Sequence, residues 1–202
     1  MTTDAAPPRP TGTLDLVFFA VAAAAAVALW AVVRIVGVFD PTGVPFTLPV
    51  SDDPVALTLE GQSAPATQTL TEATVRVPDL DAAGKAFLVA SAVIVLLGTV
   101  VAVTAIVRLA LEFRAGRFFS RRVTRAFTIV GATILGTALL VMLSDAMARR
   151  SAMEALGLAY EPLHLLDLVA YAPAWVASLV AGVLAGAFAY GERLQRDVRG
   201  LV

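Results

Sequence analysis

The sequence contains no cysteine, one lysine (Lys85) and one histidine (His164). Without cysteine there is no disulfide exchange, thiolate catalysis or cysteine-based metal site. His164 has no neighbouring ligand at a metal-type spacing, so neither a metal nor a cofactor is expected. H-E-x-x-H, G-x-S-x-G, Walker A and dinucleotide glycine patterns are all missing, which weighs against the common hydrolases and nucleotide enzymes. Charge is scarce too, at 15% of residues, where a soluble domain carries about 25%. The net charge of −1 gives no basis for a nucleic-acid partner.

What the chain has in place of charge is apolar surface. Apolar residues make up 58% of it and the mean hydropathy is +0.82, more than one small core could hide. Four runs are free of Asp, Glu, Lys and Arg: Leu16 to Val33, Ala86 to Val107, Ala126 to Ser144 and Leu168 to Gly191. About 20 apolar residues carry a helix across roughly 30 Å of hydrocarbon, and none of the runs alternates with the period of two that a barrel needs. The expected fold is therefore membrane all-α: a four-transmembrane-helix bundle with a small β-like segment between helices one and two. The expected spans are 14–38, 84–112, 123–148 and 166–191. A disordered N-terminus (1–13), an outer segment (39–82), a basic loop (113–122), an outer loop (149–165) and an interfacial tail (192–202) complete the chain. The first run is read as a retained helix, not a cleaved leader. It exceeds the usual h-region of about 7–15 residues, and Asp4 and Asp15 outweigh Arg9 in front of it.

Orientation follows from where the arginines fall. Arg108, Arg114, Arg117, Arg121, Arg122 and Arg125 cluster between helices two and three, and Arg193, Arg196 and Arg199 follow helix four. The first loop has Arg76 against Asp40, Asp52, Asp53, Glu60, Glu72, Asp79 and Asp81. By the positive-inside rule the basic loop and both termini face the cytoplasm and the acidic loop faces out. Arg149 and Arg150 break the pattern, each with a carboxylate one turn away, Asp145 and Glu154. The bias of arginine over lysine in an Ala- and Val-rich chain points to a high-GC bacterium, and the expected location is the bacterial cytoplasmic membrane.

Residues 40–81 change character. Pro41, Pro45, Pro49 and Pro54 break helices, while Val55–Glu60 and Ala73–Val77 alternate β-branched and polar residues, predicting short strands. This segment reads either as a sensing ectodomain or as a structural cap. Its acidic residues lack calcium-loop spacing.

Among the ionisable groups near the spans, Arg34 can snorkel, Arg108 and Glu112 are spaced as a local pair, and Asp145 and Asp167 mark the outer ends of helices three and four. No carboxylate, histidine or lysine lies at a mid-span position. The stretch from Phe113 to Arg125 is the most distinctive. Gly116 suits a helix C-terminus and Ser120 the next N-cap. Phe118 and Phe119 are expected at the interface, with Arg114, Arg117, Arg121, Arg122 and Arg125 reaching anionic lipid headgroups or a cytoplasmic protein partner. In helix four, Gly182 and Gly186 form a small-xxx-small motif, expected to pack within the chain, with a homo-oligomer as the other reading. Pro173 is placed to kink that helix. Beyond it, Arg193 and Arg196 alternate with Leu194 and Val198 on a helix suited to the interface, with Glu192–Arg196 and Arg193–Asp197 as i,i+4 pairs.

The turn Arg114-x-Gly116-x-x-Phe119-Ser120 and the ending Tyr190-Gly191-x-x-Leu194-Gln195-x-Asp197 resemble those of an uncharacterised family of bacterial four-helix membrane proteins. The resemblance implies the four-helix topology but no activity. Members are often encoded beside a small repressor-like regulator, although this tail departs from the Leu-Arg-x-Glu-x-Glu form of many relatives. Three function classes follow from the residues. A non-enzymatic sensor, accessory or envelope protein fits best. An oligomeric transporter or channel subunit comes next, and then an interface enzyme using Arg34, Asp145, His164 and Asp167.

Overall fold

The computed structural model describes residues 11–49, 72–158 and 168–199. The expectations placed on Val55–Glu60, His164 and Asp167 lie outside them. Four helices and two strands follow in the order α1 (Thr11–Val38), β1 (Val44–Pro49), β2 (Glu72–Val77), α2 (Ala82–Arg114), α3 (Arg121–Ala155) and α4 (Ala172–Arg199). All four helices are long and apolar enough to cross a membrane, so the chain is a multi-pass membrane protein with a small sheet between helices one and two. At 33 and 35 residues, α2 and α3 are each about 50 Å long, well beyond the ~30 Å of hydrocarbon. Both therefore project from the apolar slab.

Helix ends differ from the expected ones for local reasons. Asp81 caps α2, its Oδ1 accepting from Gly84 N at 2.8 Å, which starts the helix two residues early. α3 continues through Arg149 and Arg150 to Ala155, where an outer loop was expected, and Arg150 pairs with Glu154 at 2.9 Å on its surface. Asp145 consequently lies inside the helix, where its Oδ2 accepts from the Tyr171 hydroxyl at 3.1 Å. α4 begins at Ala172, later than expected. Pro173 occupies its first turn, where a missing N–H leaves nothing unpaired, and so it starts the helix in place of kinking it.

The helices pack in chain order, α2 on α3 most extensively, then α3 on α4 and α1 on α2. Small residues set the approach of α2 to α3. A Cβ on Gly84 would meet Ser151, and one on Gly98 would run into Thr137. Ser91 and Ser144, both buried, fall midway between these contacts. The heptad spacing Gly84, Ser91, Gly98, Ala105 is that of a left-handed helix pair. Two threonine hydroxyls of α2 are satisfied locally: those of Thr99 and Thr104 donate to the carbonyls of Val95 and Val100 at 2.8 and 2.7 Å.

α4 meets α3 where Ser178 Oγ donates to Gly131 O at 2.9 Å. The buried small residues of α4 are Ala181 and Ala185. Gly182 and Gly186, expected to pack within the chain, are exposed, and a Cβ on either meets open space. The small-residue stripe exists, but rotated by one residue from the glycine motif. Gly182→Leu and Gly186→Leu are therefore expected to shift monomer stability by no more than about 0.5 kcal/mol, read by thermal unfolding in detergent.

At the sheet end, β1 and β2 pair antiparallel with Val44 opposite Val77 and Phe46 opposite Val75. The expected strand at Ala73–Val77 forms within β2. Its partner is the proline-bearing 44–49 stretch, because both strands of a two-stranded sheet are edges and an edge tolerates a missing N–H. Val44 and Val77 face inward and join Val38, Leu80, Leu88, Ala148 and Ala152 in one apolar cluster. That cluster fastens the sheet to the ends of α1, α2 and α3. The turn entering β1 is tied from both sides. Asp40 Oδ1 accepts from the Thr42 backbone N–H at 2.8 Å and its hydroxyl at 2.7 Å, and Arg76 Nη1 donates to Thr42 Oγ1 at 2.7 Å. The Thr42 backbone and hydroxyl hydrogen bonds, helped by the Arg76 charge, hold the Asp40 carboxyl below its ordinary range.

Candidate functional site

The opposite end gathers most of the basic residues, and its framework is a helix stop followed by a helix start. α2 terminates with Gly116 at φ 70°, a conformation that favours glycine. Gly116 N donates to Phe113 O at 3.0 Å and Arg117 N to Glu112 O at 3.1 Å, the two bonds of a Schellman cap. Where that cap usually adds an apolar contact, this one adds an ion pair, Arg117 Nε to Glu112 Oε2 at 2.8 Å. Ser120 then opens α3, its hydroxyl accepting from Val123 N, while Val123 is fully buried.

Glu112 is the electrostatic pivot of the turn. Arg122 Nη1 reaches its other oxygen at 3.2 Å, so one carboxylate holds a guanidinium from each side of the turn. Its side chain is only 14% exposed, against 57% and 75% for the arginines. The expected Arg108–Glu112 pair therefore does not form. The Schellman turn swings Arg117 onto Glu112, and the start of α3 brings Arg122, leaving α2's own i−4 arginine outside.

Behind the arginines lies an aromatic cluster. Phe188 of α4 stacks on Phe127 of α3 at 5.1 Å between centroids and contacts Phe119 at 5.7 Å and Phe113 at 6.0 Å. Phe113 in turn stacks on Phe118 at 5.6 Å. Phe118 and Phe119 remain half exposed, but they belong to this cluster as well as to the surface. Phe119 lies so close over Gly191 that a Cβ there would enter its ring. Gly116-x-x-Phe119-Ser120 and Tyr190-Gly191, far apart in sequence, thus meet at one contact. Sequence reasoning missed Phe113, Phe127 and Phe188 as a unit, since nothing local marks three phenylalanines on three helices as neighbours. Gly191, at the very end of a long apolar run, was the one available signal.

Arg114, Arg117, Arg121, Arg122, Arg125, Arg193 and Arg196 are all exposed at this end. Arg196 pairs with Glu192 at 2.7 Å as expected; Arg193 and Asp197 form no pair. No set of the described residues converges as a metal site. The chemistry on offer is anion recognition: exposed guanidiniums on a capped turn, backed by aromatic rings. Phe188→Ala removes the shared ring and should loosen the turn by about 1–3 kcal/mol. Faster trypsin cleavage after Arg117 or Arg121 in the purified protein would report it, and an unchanged digestion pattern would refute the hub role. Neither a protein-family model, nor a curated protein, nor a solved structure matches the chain.

Proposed function

We propose that the chain is a non-enzymatic sensor or accessory protein of the bacterial cytoplasmic membrane. Both termini and the basic turn lie in the cytoplasm, and the two-stranded sheet lies outside. The observation that carries this reading is the cluster of Val38, Val44, Val77, Leu80, Leu88, Ala148 and Ala152. It makes the sheet continuous with the ends of α2 and α3, the helices whose far ends form the basic turn. A load on the sheet is therefore delivered to α2 and α3 together, and through them to the Glu112 pivot. The arginine asymmetry supports the orientation, and anionic headgroups or a cytoplasmic protein are the partners suited to the basic end. Membership in the uncharacterised four-helix family is part of the proposal, supported by the contact of Phe119 with Gly191 that joins its two motifs.

The absence of cysteine makes the test direct. Thr74→Cys should react with an impermeant maleimide in intact cells, and Arg117→Cys only after permeabilisation; the reverse pattern defeats the orientation. A photo-crosslinker at Arg121 should then capture a cytoplasmic protein with a yield that falls when the sheet is disrupted. A yield indifferent to the sheet would remove sensing and leave an accessory role.

A further inference from the structure

The pairing of Glu112 with Arg117 and Arg122 leaves a consequence one turn deeper in the membrane. Arg108 is exposed and, among the described residues, has no carboxylate partner; the same holds for Arg125. Both sit where the hydrocarbon should end. The charge-free run of α2 stops at Val107, and that of α3 begins at Ala126. The antiparallel register set by Gly84 with Ser151 and Gly98 with Thr137 brings Arg108 level with the first turns of α3. Arg108, Arg122 and Arg125 accordingly line the same groove between α2 and α3, of about 700 Å³, within the ~300–1,000 Å³ of small-molecule sites.

Below the arginines the groove is apolar. Val101 and Ala105 from α2 line it with Ile129 from α3. Thr104 also lines it, but its hydroxyl already donates to Val100 O, so the floor demands no polar ligand. A headgroup-level ring of three guanidiniums against one engaged carboxylate, above a greasy trough, fits an amphiphile with an anionic head. A second copy of this chain would bring its own arginines to the same depth and repel. A lipid meets both halves of the groove at once.

We propose that this groove holds one anionic phospholipid. Its phosphate is taken by Arg108 and Arg125 with Arg122 at the rim, and an acyl chain runs along Val101, Ala105 and Ile129. Guanidinium suits the phosphate because its planar fork donates two parallel hydrogen bonds. The site rests on the headgroup-level placement of the basic end proposed above, but not on sensing or on the choice of leaflet.

The test is native mass spectrometry of the full chain, extracted in mild detergent and offered equal amounts of phosphatidylglycerol and phosphatidylcholine. One phosphatidylglycerol should be retained per chain in preference to phosphatidylcholine. Arg108→Gln with Arg125→Gln should weaken retention by at least about tenfold. Val101→Trp, at an exposed position, should block it by filling the trough with every charge intact. Arg34→Gln, at the other end of the membrane, should leave it unchanged. Equal retention of both lipids, or retention indifferent to either groove variant, would overturn the proposal. So would displacement by excess inorganic phosphate, which would make this a soluble-anion site, or a dimer that forms with the groove empty. Maleimide labelling reports the orientation separately, so failure of one leaves the other standing.

Discussion

Gly98→Val is expected to separate α2 from α3 and to cost about 2–3 kcal/mol, the upper part of the range for overpacked cores. At this position Thr137 presents Oγ1, Cγ2 and Cβ to the space a side chain would enter. Because threonine is β-branched, turning χ1 only exchanges one γ atom for the other; the helices must part. The heptad of small residues transmits that separation, since Ser91 and Ser144 lie one heptad from the insertion. The decisive measurement is a double-mutant cycle. Gly98→Ala alone should be clearly destabilised in an SDS-unfolding titration. Adding Thr137→Ala removes both γ atoms and should restore most of the loss. Purely additive effects would show that the two residues do not meet.

The second large effect belongs to Gly43. Its φ of +95° lies in the left-handed region, and a Cβ would stand 2.8 Å from the backbone nitrogen of Pro78 and the carbonyl carbon of Val77. Neither obstacle is a side chain that could turn away. Gly43→Ala therefore combines a strained dihedral with a backbone collision, about 2–3 kcal/mol together, concentrated where Arg76 and Asp40 tie the turn. The spans should remain inserted while β1 leaves β2. A protease added from the sheet side should then cut between α1 and α2 far faster than in the parent chain, with the α2–α3 fragment intact. Unchanged resistance would mean that the sheet adapts around the new methyl group.

How much of this could be read from residues alone depends on the range of the forces involved. The spans were legible because a charge in hydrocarbon is costly enough to leave long uncharged runs. Gly116 and Ser120 were legible because a helix stop and start are decided within a turn. Beyond that range, legibility fell. The i,i+4 spacing of Arg108 and Glu112 was sound, but it lost to arginines delivered by the turn and by α3. Gly182 and Gly186 announced a small-residue surface without saying which side of α4 meets α3, and Ala181 and Ala185 took that contact. β1 was hidden because Pro45 and Pro49 argue against a strand unless the sheet is known to have only edges. The aromatic cluster was least legible of all, since Phe188 meets Phe113 and Phe127 only once three helices have assembled.

The way α1 is held ties it to the fate of the sheet. Among the described residues its well-buried positions, Ala31 and Val38, lie in the half nearest the sheet, and its substantial helical contact is with α2. α1 is thus anchored at its sheet end. Losing the pairing of β1 with β2 would undo the clasp that closes that end of the chain on itself.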